Sequence, residues 1–343
     1  MRISYVTDGP TGDPSIYKTL MRSILLLLLL LPACVCRATE RPVIGILAVP
    51  VDNSDCDTLV HLAHDGATSC FHSLYVKWLE AAGAQVAPLP FDLPPEKFDA
   101  LVGSLNGALI TGGDFAIKHL DSPYMKAASR LYEHSLALHS TKGERWPLWG
   151  TCMGMQVLSV LGARDGSVLL SNAYHSEGLV LPLRLTAAAA TSRLLCHDCL
   201  RPAEAVSTLS TQNVTVNLHH DGVAPESFAN GTTLGAAFRV LSTNADRDGK
   251  AFVSTIEAQG GAPVWGVQWH PERPAFDWLK RPASQGGFNR SEAALEAMYA
   301  VAARFVREAR LSPNRFASES EEAAALIYEH TPVGSSSYQA YYF

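Results

Sequence analysis

From Pro42 onward the chain alternates short apolar runs with stretches of helical period, and this alternation constrains its fold more than any other feature. Residues 43–49 form a continuous apolar run, the pattern of a strand buried on both faces. Residues 74–82 have helical character, Gly83 stops them, and residues 85–89 return as a strand. Ala108-Leu109-Ile110 then runs into Thr111-Gly112-Gly113-Asp114, a strand closed by a glycine turn. Residues 124–138 read as a helix, 146–149 as a short strand leading into Gly150, and 153–161 as a helix again. Such alternation predicts an α/β fold: a single domain with a mostly parallel central sheet flanked by helices. The second half is richer in expected strands, at residues 179–185, 214–218, 233–241, 252–256 and 264–269. Residues 187–190, all alanine, are expected as a loop or helix start. A last helix is expected where Leu295, Met298, Tyr299, Ala302, Phe305 and Val306 make one apolar stripe.

Composition narrows the class of function. The chain has 343 residues, 47% hydrophobic and 17% charged, which excludes a disordered chain or a small disulfide-stapled scaffold. A net charge of −6 gives no reason to expect nucleic acid or an anionic membrane as partner. Residues 24–31, an isoleucine and seven leucines, are too short to span a bilayer. With Met21-Arg22-Ser23 before them and a small residue, Ala38, after, they read as a secretory signal peptide. The expected division is therefore 1–38 signal peptide and 39–343 catalytic domain, with 1–20 read either as a gene-model extension upstream of Met21 or as a longer n-region of the signal. Secretory entry implies an extracellular, lysosomal or vacuolar destination. It also admits glycosylation at the sequons of Asn213, Asn230 and Asn289, and disulfide pairing. Cys56, Cys70, Cys152, Cys196 and Cys199 remain after removal of the leader, an odd number, so at least one thiol stays free.

Two motifs carry chemistry. Gly150-Thr151-Cys152-Met153-Gly154 lies between an expected strand and helix, the form of a nucleophile elbow with cysteine in place of serine. There the sulfur stands at a helix start, whose positive end favours thiolate, and the Met153 N–H is placed to bind an oxyanion. Gly266-Val267-Gln268-Trp269-His270-Pro271-Glu272 ends an apolar strand. If that strand continues through Glu272, His270 and Glu272 face the same side, and the carboxylate can fix the imidazole's tautomer. Cys152 is then the thiol left free. The pair Gly112-Gly113 suits a second oxyanion donor. Together these residues predict a Cys152–His270–Glu272 acyl-transfer site.

These residues resemble the class I glutamine amidotransferase superfamily and, within it, the γ-glutamyl hydrolases. The resemblance extends to Pro42-Val43-Ile44-Gly45-Ile46-Leu47, to Tyr75-Val76-Lys77-Trp78-Leu79-Glu80, to Asn106-Gly107 and to Leu241-Ser242-Thr243-Asn244-Ala245-Asp246. The tail Phe316-Ala317-Ser318-Glu319-Ser320-Glu321-Glu322, with Ala325-Leu326-Ile327-Tyr328, is its most distinctive part, and the similarity covers nearly all of residues 42–343. It implies a thiol hydrolase acting on folyl- and antifolylpoly-γ-glutamates, with Cys152 as nucleophile, His270 as acid and base, and Glu272 orienting it. Gly113 and Met153 would form the oxyanion hole, and His219, Gly112 and Gln156 would meet the substrate, while His220 is read as a surface residue. The chain departs from the family at Ser69-Cys70-Phe71-His72-Ser73-Leu74, where small residues are usual, and at Gln156, where the hydrolases often have Glu. No metal or cofactor is expected, since Cys196-His197-Asp198-Cys199 has no second pair to complete a zinc site; a disulfide or a simple loop is expected there. Cys56 with Cys70 is a candidate second bridge. A homodimer is compatible with the chain. Rival readings are a glutamine amidotransferase-like glutaminase, favoured by Gln156, and a peptidase acting on glutathione conjugates or γ-glutamyl amines. A binding protein without turnover is disfavoured by the intact Cys152, His270 and Glu272.

Overall fold

Along the first strand Val43 and Leu47 pack on one face of the sheet, and Ile44 and Ile46 on the other. All four are buried, so the strand is central, as a continuous apolar run requires. The computed structural model describes residues 39–52, 66–279, 287–335 and 338–343. The expected signal peptide and Cys56 lie outside the described residues.

The central sheet has eight strands: β1 (Val43–Leu47), β2 (Gln85–Leu89), β3 (Gly107–Ile110), β4 (Leu148–Thr151), β5 (Arg184–Leu185), β6 (Phe238–Ala245), β7 (Ala251–Ala258) and β8 (Val264–Val267). Their spatial order is β2-β1-β3-β4-β8-β7-β6-β5. The first five run parallel, and the last three are antiparallel additions. The order reverses beside β1, and in such sheets ligands bind at the carboxyl ends of the strands near that reversal.

Six helices of eight residues or more cover the sheet among the described residues. Helices α1 (Ser73–Ala81), α5 (Glu204–Thr211) and α6 (Glu292–Ala309) lie on the face of Ile44. Helices α2 (Pro95–Ser104), α3 (Pro123–Lys142) and α4 (Met153–Ala163) lie on the face of Val43. Local chemistry sets the ends of α3: Ser122 Oγ accepts from the Met125 N–H, Pro123 occupies the first turn, and Gly143 closes the helix at φ 65°. On the other face Trp149 of β4 packs against Trp78 of α1 and Phe305 of α6, with ring centroids 5.6 and 5.7 Å away. This cluster anchors both helices beneath the strand that carries Cys152, and Trp149→Ala would cost about 3–5 kcal/mol.

Several local expectations are corrected. Residues 233–237 form a short helix, because Thr232 Oγ1 accepts from the Gly235 N–H and caps it; β6 begins only at Phe238. The run 179–185 divides at Pro182, which has no N–H for a ladder: Leu179–Leu181 pairs with Thr215–Asn217, and Arg184–Leu185 joins β6. On α6 Tyr299 is exposed and Leu295 half-buried, and the buried stripe runs instead through Ala294, Ala297, Met298, Val301, Ala302 and Phe305. Residues 187–191 make a short 3-10 turn. Helix α2 was not anticipated.

Cys196 and Cys199 are disulfide-bonded, as is Cys70, and Cys152 is the free cysteine among the described residues. Asn213 and Asn230 are exposed, while Asn289 is half-buried and donates its amide Nδ2 to the Asn213 carbonyl at 3.1 Å. Near the carboxyl terminus Tyr338–Tyr342 pairs with Ser69–His72, which brings Tyr338 to the rim of the site. No helix among the described residues is long and apolar enough to cross a membrane.

Candidate active site

Cys152 stands where β4 turns into α4. Its φ of 53° and ψ of −109° are uncommon for a residue with a side chain, and such values concentrate at functional turns. The strained conformation belongs to the cysteine and not to its glycines, which serve close packing. A Cβ at Gly154 would collide with the Ile110 carbonyl, and one at Gly150 would come within 2.5 Å of the Gly154 carbonyl. Helix α4 therefore starts hard against the end of β3. Cys152 is 4% exposed, and its backbone N–H is held by the Val267 carbonyl of β8 at 2.7 Å. The Met153 amide is the first of α4 and has no acceptor within the helix.

His270 and Glu272 meet, though not by strand alternation. Strand β8 ends at Val267, and the pair lies in the turn beyond it, with Glu272 in helical conformation just before Arg273–Phe276. His270 Nδ1 lies 2.7 Å from Glu272 Oε1, with both side chains buried. Since the carboxylate accepts, the ring carries its proton on Nδ1 and turns Nε2 away from Glu272. Burial opposes a charge on this ring, but the Glu272 carboxylate and then Cys152 outweigh it and raise His270 to about 9. Gly112 lies between the thiol and the imidazole: a Cβ there would lie 3.2 Å from His270 Cε1 and 3.4 Å from Cys152 Cβ. Behind Glu272, Arg273 Nε lies 3.7 Å from Oε1 while its Nη1 holds Asp277 at 2.9 Å.

His219 enters from the loop after Thr215–Asn217, tied to the site by the His270 N–H donated to the Val216 carbonyl at 2.9 Å. Its Nδ1 lies 2.8 Å from the Asp221 carbonyl, so Nδ1 donates and Nε2 is left as an acceptor. Burial lowers this imidazole to about 3, against the smaller upward pull of that hydrogen bond, and it is neutral. Phe252 meets the ring edge-on at 4.8 Å. The neighbouring His220 is exposed, as expected, at the cavity mouth.

A cavity of about 650 Å³ collects Cys152, Met153, Gln156, His219 and His270, with Gly113 and Tyr338 among its other walls. The expectation for Gly112 changes. Its N–H is donated to Tyr75 Oη at 2.8 Å, so it is not available to a substrate, and its contribution is the absence of a side chain between Cys152 and His270. Gln156 is nearly buried and bonds to the Asp221 carbonyl and to Gln268. His72, in the stretch that departs from the family pattern, shares a 2.7 Å hydrogen bond with Tyr338 Oη. The motif reading did not single out Tyr75, Gln268, Asp221 or Tyr338; only Gln268 had a local signal, two residues before His270. Among the described residues no group of three or more His, Cys, Asp or Glu is arranged to hold a metal ion.

A mostly parallel sheet reversing beside β1, with a cysteine elbow and a histidine–glutamate pair at one cavity, is an α/β fold carrying the side chains of a thiol-dependent hydrolase. The Peptidase C26 family profile matches residues 42–272. Mouse γ-glutamyl hydrolase is 35% identical over 310 residues, covering 89% of this chain and 90% of the mouse protein. Dictyostelium discoideum γ-glutamyl hydrolase B is 31% identical over 294 residues, covering 86% of this chain and 79% of that protein. A solved glutaminase domain of Trypanosoma brucei CTPS superposes with a TM-score of 0.47 at 12% identity, covering 79% of this chain and 94% of that one. The chain belongs to the Peptidase C26 family, the family of the γ-glutamyl hydrolases.

Proposed function

We propose that this chain hydrolyses the γ-glutamyl bonds of folyl- and antifolylpoly-γ-glutamates through a thioester on Cys152. The observation that carries the reading is the 2.7 Å His270–Glu272 contact beside the elbow cysteine. The Cys152 sulfur attacks the γ-carbonyl carbon, and the resulting oxyanion takes hydrogen bonds from the Met153 and Gly113 N–H groups. Collapse breaks the C–N bond as protonated His270 gives its Nε2 proton to the leaving amine. A water then gives a proton back to Nε2 and attacks the thioester, which releases the shortened glutamyl product and returns the sulfur with its protonated partner. His219 Nε2, a neutral acceptor in the wall, takes an N–H of the substrate. Glu272 favours the charged ring at the start and end of the cycle and keeps it correctly turned throughout.

The apolar run at residues 24–31 supports entry into the secretory pathway. Disulfide bonding at Cys70, Cys196 and Cys199 points the same way, because such bonds persist in oxidising compartments.

Product analysis with folate pentaglutamate and, separately, with glutamine tests the reading. Release of glutamate or oligoglutamate from the folate, with glutamine untouched, is expected. Turnover of glutamine alone would replace it with the glutaminase reading, for which Gln156 is the favouring residue.

A further inference from the structure

The amide of Gln156 has one orientation open to it. Its Nε2 lies 3.0 Å from the Asp221 backbone carbonyl, and a carbonyl only accepts, so nitrogen and not Oε1 must occupy that place. The same Nε2 lies 3.2 Å from Gln268, which must therefore present Oε1. That turns the other end of Gln268, its Nε2, onto Cys152 Sγ at 3.5 Å. One backbone carbonyl thus fixes two side-chain amides in series, and the series ends with an N–H on the sulfur. Gln268 is 0% exposed and Gln156 4%, and of the three contacts the Gln156–Gln268 bond and the Gln268 contact to the sulfur lie in the interior, where hydrogen bonds are electrostatically stronger. The Asp221 carbonyl also receives His219 Nδ1–H, and its loop is held by the Asn172 N–H donated to Asp221 Oδ1 at 2.7 Å.

Resting on Cys152 as the nucleophile, we propose that Gln268 is a further catalytic residue whose N–H favours the anionic sulfur, and that Gln156 is a positioning residue acting through Gln268. An N–H donated to a charged acceptor is about twice as strong as one donated to a neutral group, so the contact favours thiolate over thiol. Glutamate at position 156 breaks the series despite its similar size. A carboxylate offers no hydrogen to the Asp221 carbonyl, and it draws the Gln268 N–H groups toward itself, leaving Oε1 against the sulfur.

The test is the pH dependence of Cys152 alkylation by iodoacetamide in the intact protein without substrate, with Cys152→Ala to assign the reacting thiol. The titratable and charged groups around that sulfur and its cavity are His270, Glu272 and Arg273 beyond β8, Asp114 beyond β3, His219, His220 and Asp221 on one loop, Glu177 on another, and Tyr338 near the carboxyl terminus. None of them is altered by the substitutions. In Gln268→Met the pH of half-maximal alkylation rises by about one unit, and at any pH well below the parent's midpoint the rate falls about tenfold. Gln156→Met moves it the same way by less, and Gln156→Glu by at least as much as Gln268→Met. The double variant Gln156→Met/Gln268→Met moves no further than Gln268→Met alone, because Gln156 acts through Gln268. A Gln268→Met profile that overlays the parent, or additive shifts in the double variant, would overturn the proposal. Should Gln268→Met lose its native circular dichroism, the Gln156→Met shift, which adds no charge beside the sulfur, carries the test, and no shift there would overturn the proposal. A shift without γ-glutamyl cleavage in the parent would sink the functional reading and leave the hydrogen-bond series; cleavage without a shift would sink the series alone.

Discussion

Two histidines face one cavity from two parts of the molecule, and they are held in opposite charge states. His270, in the turn after β8, is raised to about 9, and His219, in the loop after Thr215–Asn217, is lowered to about 3. Both are almost wholly buried, so desolvation pushes both down from the ordinary 6.5. The difference is the partner at Nδ1: a carboxylate from Glu272 for one, a backbone carbonyl from Asp221 for the other. A carboxylate compensates a positive ring, whereas a carbonyl dipole only fixes its tautomer. One ring is thereby suited to give and take protons, and the other to accept a hydrogen bond without changing charge.

Substituting the partner of the first ring should erase the comparison. Glu272→Gln replaces a charge by a dipole, leaving His270 in a position like that of His219. Its kcat/KM is expected to fall about 10²–10⁴-fold on folate polyglutamate, with native circular dichroism. A variant within twofold of the parent would show that Glu272 does not set the charge of His270.

Removing the acceptor of the second ring is expected to do less. His219→Phe keeps an aromatic ring against Phe252 and should lower kcat/KM about 10–100-fold, with the alkylation profile of Cys152 unchanged. A shifted alkylation profile would place His219 in control of the sulfur instead.

A further effect, read without substrate, is on stability against pH, where the two rings act in opposite directions. His270 holds its proton more tightly when folded, so its contribution is complete below about 6.5 and is lost as pH rises toward 9. His219 refuses a proton that the unfolded chain accepts, so stability falls as pH drops from 6.5 toward 3. Each limb has a limiting slope of about 1.4 kcal/mol per pH unit. Urea midpoints should therefore peak near pH 6.5, with Glu272→Gln flattening the alkaline limb and His219→Phe the acid one. Unchanged limbs in both variants would contradict the assignment of the two charge states.

The cysteine elbow is legible in the sequence because its geometry is local: β4, Cys152 and α4 follow one another in a single stretch of chain. The apolar runs that became β1, β2 and β3 were legible for the same reason, since strands buried on both faces need no long-range information to be seen. Spacing pairs His270 with Glu272, and the two do meet, but through a turn beyond β8 and not along an extended strand. Gly112 shows what spacing leaves out. Its N–H is taken by Tyr75 from α1, a contact between segments far apart in the chain. Gln268 sat inside a recognised motif, but its part depends on Gln156 and Asp221, which only the fold brings beside it. Residues 233–237 read as a strand because the apolar pattern there is ambiguous, and a single threonine cap decides for helix.

The most direct test of the central claim is the turnover of folate polyglutamate by Cys152→Ala. With Cys152 as nucleophile, the rate falls by at least about 10⁴-fold while circular dichroism and unfolding remain those of the parent. A folded Cys152→Ala protein that cleaved at the parent's rate would contradict the thioester mechanism and the assignment of the site with it.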